Sequence, residues 1–195
     1  EPPLREELPL LPSSHLSLVV SEEEQRMLAE LVPECRVELL SNIHRVHGRG
    51  AGYESRRDLL FVGGFSHPPN LDAMRWFISD VWPIVRGKQP GLELHVVGEL
   101  TPQASAELRG EGVRLHGRVE DLTAVMNAVR LSVAPLRFGA GVKGIVNMAV
   151  SHGLPVVLTP VAAEGMHLTD GEDALIAESA QDFAAAVLRA YHDPD

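Results

Sequence analysis

Apolar positions along this chain recur with two periods, one short and one helical. Short apolar runs occur in DLLFVGG (58–64), LELHVVG (92–98), VRLHG (113–117), LSVAPL (131–136), PVVLTP (155–160) and ALIAE (174–178). Runs of this length, rich in Val and Leu and bounded by Gly or Pro, predict strands. Between them, apolar residues fall three and four apart. In PPNLDAMRWFISDVWPIVRG (68–87), Leu71, Met74, Phe77, Ile78, Val81 and Trp82 share a helical face behind an early proline. PQASAELRG (102–110), VEDLTAVMNAVR (119–130), VKGIVNMAVSHG (142–153) and SAQDFAAAVLRAYH (179–192) predict further helices, the last capped by Ser179 with Asp182.

Upstream of Asp58 the pattern is looser. EPPLREELPLLPSS (1–14) reads as an irregular lead-in, and HLSLVV (15–20) and RVELLSN (36–42) as strands. Between these strands, Ser21 and Glu24 match the S-x-x-E capping box of a helix, with Glu22–Glu24 as its solvated start. IHRVHGRGAGYESRR (43–57) has no sustained period and reads as a linker. The expected organisation is a strand–helix–strand extension over 1–46, a linker over 47–57 and an α/β domain over 58–195. Alternating short strands and helices predict a Rossmann-like parallel sheet with helices on both faces. Ligands of such sheets sit beyond the carboxyl ends of the strands, here the loops after residues 62, 97, 116, 136 and 158.

Charge narrows the partners. Seventeen Lys and Arg against 27 Asp and Glu leave −10 formally, which disfavours nucleic acid and anionic membranes. No apolar run reaches the roughly 18–20 residues that span a bilayer. Cys35 is the single cysteine, so no internal disulfide or cysteine metal cluster can form, as suits a cytoplasmic protein.

Against this acidic background APLRFGAGVKG (134–144) stands out, with Arg137, Gly139, Gly141 and Lys143 at the mouth of a helix. Glycines let bare N–H groups approach an anion, and two cations reinforce them. The bland alternative is an ordinary strand-to-helix turn with a basic rim. His44 and His47 lie three apart without a visible third metal ligand. His67 is read as a turn residue or a substrate contact, His152 as a helix-end residue, and Trp76 and Trp82 as core or interface anchors. VGGF lacks the full G-x-G-x-x-G pattern of nicotinamide-binding proteins.

The ordered series LLFVGGFSHPPNLDAMRWF, LHVVG, LHGRVEDL, APLRFGAGVKG, GLPVVLTPVAAEGM and DGEDALIAES resembles the C-terminal, donor-binding domain of GT-B glycosyltransferases of the family 4-like group. The resemblance covers about Asp58 to Tyr191. It implies sugar transfer from a UDP- or GDP-linked donor with retention of configuration, with no cofactor and no essential donor-site metal. It implies that Gly63 and Gly64 admit the diphosphate and that Arg137 and Lys143 are its cations, with Gly139 to Val142 the loop between them, Gly141 included. Arg118 and Val119 would lie beside the nucleobase, and Ala162 to Gly165, with Glu164, near the sugar. The chain departs from the pattern at Met148, where relatives carry a ribose-binding glutamate, at Ala140, where the partner glutamate falls, and at Ile145, often lysine. On a helix over 142–152, Met148 is expected on the ligand side with Gly144 and Ser151, opposite Val142, Ile145, Val146 and Ala149. A degenerate nucleotide- or protein-binding module of the same fold is the alternative. The resemblance names no catalytic base, and oligomeric state is not legible.

Overall fold

The structure is a computed structural model and describes residues 8–48, 50–139 and 141–193. They divide into two units, residues 8–43 with Gly141 and Val142, and residues 44–139 with 143–193.

In the first unit, β1 (Ser17–Val19) and β2 (Val37–Leu39) pair in parallel across α1 (Glu22–Leu31). Ser21 Oγ accepts the Glu24 N–H at 3.2 Å, capping α1 as expected. The Glu24 carboxylate reaches back one residue further than a capping box requires, to the Val20 N–H at 3.3 Å. Val19, Leu28 and Val32 form a small buried core. Residues 8–13 of the lead-in make a 3-10 turn.

The second unit is a six-stranded parallel sheet. Its strands are β3 (Leu59–Val62), β4 (Leu94–Val97), β5 (Val113–Gly117), β6 (Leu131–Ala134), β7 (Val156–Leu158) and β8 (Leu175–Ile176). Their spatial order is β5-β4-β3-β6-β7-β8, all parallel. Helices α2 (Pro68–Trp76), α3 (Trp82–Lys88) and α8 (Ala180–His192) belong to one face. There Leu59, Phe61, Leu94, Val96, Leu131 and Val133 pack with Met74, Phe77, Val85, Phe183 and Val187, all fully buried. The short α4 (Pro102–Glu107) adds Ala104 to the same core. On the other face Leu60, Ala134, Val156 and Leu158 meet Met126 of α5 (Thr123–Ala128), Val146 and Ala149 of α6 (Gly144–Ser151) and Ala162 of α7 (Pro160–Ala163). Alternate residues of each buried strand thus face opposite cores.

The long helical stretch from Pro68 is not one α-helix. A π turn at Phe77–Val81 separates α2 from α3. Pro83 has no N–H to give, and its ring would collide with the carbonyl four residues earlier; widening the turn relieves both. Trp82 is buried, its Nε1 donating to the Glu111 carbonyl at 2.9 Å. Trp76 packs edge-on against Phe183 at 5.7 Å.

Residues 47–57 were expected to be a linker, yet residues 47–48 and 50–57 are fastened to the rest of the second unit. His47 N and Gly48 N donate to the Ser151 carbonyl at 2.8 and 3.2 Å, and Arg57 N to that of Ala128 at 2.8 Å. Arg130 lies over the rings of Tyr53 and Tyr191, 3.9 and 4.5 Å from their centres, and donates to the Arg56 carbonyl at 3.0 Å. The sequence shows no period there because these contacts are made by backbone and single side chains.

Candidate functional site

Strand order reverses between β3 and β6, since the chain builds outward from β3 to β5 and then returns to lay β6 beside β3. In open parallel sheets the carboxyl ends flanking such a reversal form the ligand crevice. The loops after β3 and β6 hold Gly63 and Gly64 on one side and Arg137, Gly139 and Lys143 on the other.

After β3 the backbone is tightly constrained. Gly63 N donates to the Val97 carbonyl at 2.9 Å, and Gly98 N to that of Gly117 at 2.8 Å. A Cβ on Gly98 would stand 1.9 Å from the Gly63 oxygen, and Gly98 has φ +146°. Only glycine fits there. Asn70 Nδ2, from the first turn of α2, donates to the Gly64 carbonyl at 2.9 Å and fixes the loop. His67 is the residue before α2 and makes no side-chain cap.

After β6 come two cations in different settings. Arg137 is half-exposed and held in a two-pronged pair by Asp72 of α2, with its Nε 2.8 Å from Oδ2. The Asp72 bond holds the Arg137 proton more firmly than usual, against a small opposing effect of burial. Lys143 is only 7% exposed. Its Nζ donates to the Gly139 carbonyl at 2.7 Å, and its backbone N–H meets the Met166 sulfur at 3.4 Å. Burial draws the Lys143 amine below its ordinary range, and the Glu164 carboxylate opposes that shift. Gly139 and Gly141 have φ +113° and +83°, a conformation that lets the chain fold back on the amine. Gly141 is exposed and Val142 half-buried, and both belong to the first unit.

The other expected residues are placed as follows. Arg118 is exposed after β5, while Val119 packs partly buried on the second core. Glu164 is exposed at the end of α7, a one-turn helix the sequence reading took for loop. Thr159 caps α7 and its hydroxyl donates to the Leu136 carbonyl, tying the loops after β6 and β7 together. Ala140 lies outside the described residues.

Helix α6 begins at Gly144, so Val142, expected on the helix, lies outside it. Met148 is half-buried and packs on the second core, and Ser151, expected to share its ligand-side face, is buried with its hydroxyl donating to the Met148 carbonyl at 2.8 Å. The shorter helix and a buried C-terminal turn account for the difference. His152 is buried, its Nδ1 3.0 Å from the Met148 carbonyl oxygen and its ring stacked on His47 at 4.1 Å. His47 is itself exposed, with its ring resting on that of His152. His44 is exposed.

Sequence reasoning missed Asn70, Asp72, Gly98 and Thr159. Thr159-Pro160 carried a legible signal, a capping residue before proline at a helix start. Asp72 carried none, because its partner is 65 residues away.

A model of the glycosyl transferases group 1 family matches residues 56–193. An uncharacterized 44.6 kDa protein in the cps region of Klebsiella pneumoniae is 29% identical over 141 residues, covering 67% of this chain and 36% of that protein. Among solved structures, a mutant of S. aureus TarM in complex with fondaparinux, alpha-GlcNAc-glycerol and UDP superimposes with a TM-score of 0.81. It is 12% identical, with 97% of this chain and 39% of that one covered. Sucrose-phosphate synthase from Thermosynechococcus elongatus gives 0.76 at 19% identity, covering 98% and 52%. At such identities these structures speak for the fold, one half of the GT-B architecture. The chain spans about a third to a half of the length of these relatives. The family match covers most of the chain and contains the Gly63, Arg137 and Lys143 loops: the chain belongs to the glycosyl transferases group 1 family.

Proposed function

We propose that the second unit binds the nucleoside diphosphate of a UDP- or GDP-linked sugar, and that the whole protein transfers that sugar to an acceptor, with retention of configuration. The observation that carries the reading is Lys143, a cation buried at the head of α6 and folded onto the Gly139 carbonyl. Burying an ammonium costs free energy, and a site that will receive a diphosphate gives that cost a purpose. Arg137, pre-oriented by Asp72, is the second cation, and the α6 N-terminus adds its dipole. Together they would stabilise the charge that builds on the leaving diphosphate as the glycosidic bond breaks. Gly63, Gly64, Arg118, Val119, Gly139 and Glu164 would line the donor. A cytoplasmic location suits the lone Cys35.

Lys143→Ala tests the reading. UDP affinity should fall tenfold to a hundredfold, the loss of one charge-assisted contact of about 1.5–3 kcal/mol, while uridine affinity stays unchanged. Titration calorimetry on parent and variant reads both. Equal loss for UDP and uridine, with the fold intact by circular dichroism, would remove Lys143 from the phosphate site.

A second reading, a binding module without chemistry, is favoured by Met148, an apolar side chain packed on the core where relatives place a ribose-binding carboxylate. Tight UDP binding without acceptor-dependent nucleotide release would support it.

A further inference from the structure

At the opposite end of the sheet from Lys143 lies a cluster the donor reading does not use. Asp58 immediately precedes β3, Glu93 immediately precedes β4, and His95 is the second residue of β4. One ligand atom from each falls within 4.8 Å of the other two. His95 Nε2 stands 3.7 Å from Asp58 Oδ2. That is too long for a hydrogen bond, and it is the spacing of two ligands that share one ion, since bonds of about 2.0–2.2 Å leave ligand atoms roughly 3–4 Å apart.

Each of the three side chains is oriented through its other polar atom. His95 Nδ1 lies 2.8 Å from Nε2 of His116 on β5, with the two rings stacked at 5.0 Å, so Nε2 is the nitrogen left toward Asp58. Asp58 Oδ1 accepts the Glu93 backbone N–H at 2.9 Å, leaving Oδ2 for the cluster. Glu93 Oε1 accepts from Arg114 Nε at 2.9 Å, leaving Oε2. Outer partners of this kind fix the tautomer and direction of metal ligands. Asp58 and His95 are largely shielded, with side chains 25% and 21% exposed.

We propose that Asp58, Glu93 and His95 bind a divalent first-row transition ion of the Zn²⁺ type, at a site separate from the donor crevice. One imidazole nitrogen and two carboxylate oxygens suit such an ion, and water completes its coordination. The ion cross-links the entries to β3 and β4, so it binds the folded chain and stabilises it. His116 is a positioning residue, not a ligand.

The test is Zn²⁺ titration of the chelator-treated chain by calorimetry, with thermal unfolding in parallel. One saturable ion and a raised Tm are expected. His95→Gln and Asp58→Asn should each weaken Zn²⁺ at least tenfold, and His116→Gln, at an exposed position, by about tenfold. A His44→Gln, His47→Gln double variant should bind like the parent. Asp58→Asn keeps the acceptor for the Glu93 N–H, and His116→Gln alters only the edge strand, so at least one variant reports with the fold intact. The proposal is overturned if the parent shows no saturable Zn²⁺ binding. It is equally overturned if the folded variants bind as the parent does, or if the His44, His47 pair proves to carry the ion.

Discussion

Gly98 and Gly63 meet backbone to backbone where β3 and β4 end, and a methyl group at residue 98 would overlap the Gly63 oxygen. Gly98→Ala is therefore expected to destabilise the fold by more than about 3 kcal/mol, because neither the positive φ nor the main-chain neighbour can yield cheaply. Gly64→Ala, whose Cβ would meet nothing within 4 Å, is the control and should cost under about 1 kcal/mol. Denaturant midpoints of the two variants decide it, and similar values for both would refute the argument. The glycine itself was legible as the end of LHVVG. Its constraint was not, since it comes from a backbone 35 residues earlier that no local pattern encodes. Lys143 shows the same division: its charge and its glycine neighbours can be read in order, whereas its contact with Met166 and the influence of Glu164 come from the segment after α7, about 20 residues further along the chain.

Helix α8 was readable almost to the residue, because an amphipathic period and an N-cap agree with each other. Ser179 Oγ accepts the Asp182 N–H at 3.1 Å and donates to the Asp182 carboxylate at 2.7 Å. Ser179→Ala should cost about 1 kcal/mol, seen as a lower denaturant midpoint at unchanged slope; no shift would mean the first turn of α8 is frayed in solution. Elements were less legible where period and geometry disagree. The apolar stripe from Leu71 to Trp82 runs through the π turn without interruption, so only the steric demand of Pro83, just beyond the stripe, reveals it. At α6 the run from Val142 is apolar enough for a helix, but the positive φ of Gly141 delays its start until Gly144. That two-residue delay is what places Lys143 in the turn before the helix, with its amine against Gly139.

At the scale of the whole molecule, an excess of acidic groups makes the fold sensitive to acid through particular pairs. A hydrogen bond from Arg114 holds Glu93 below its ordinary 4.5. Bonds from Gln103 and Arg75 do the same for Glu107, and the Thr123 N–H lowers Asp121 from 3.8. Groups lowered by folding contribute stability that is complete above their ordinary values and lost as pH falls through their folded ones. Burial and the neighbouring His95 lower His116 from 6.5 in the same way, so Tm should begin to fall below about pH 6.5 and drop more steeply below about pH 4.5, with Glu107→Gln flattening part of the lower limb. A Glu107→Gln limb parallel to the parent would exclude that pair. Strand order, which decides where the loops after β3 and β6 meet, was implied by the alternation of elements only as a class. The particular sequence β5-β4-β3-β6-β7-β8 is fixed by which apolar faces cover one another.

That order has a mechanical side. β3 and β4 run together over four paired residues, from Leu59 with Leu94 to Val62 with Val97. β3 and β6 pair only at Leu59 with Leu131 and Leu60 with Ser132. A ladder of only two pairs, as short as that between β7 and β8, thus lies beneath the loops at the reversal, a seam that side chains must close. Ser132 Oγ reaches across to the Leu60 carbonyl at 3.4 Å, and above it Arg137 grips Asp72. The alignment of the glycine loop with the lysine loop is consequently set by a handful of stitches, and changing one of them would displace the two halves of the proposed anion site relative to each other while leaving either half intact.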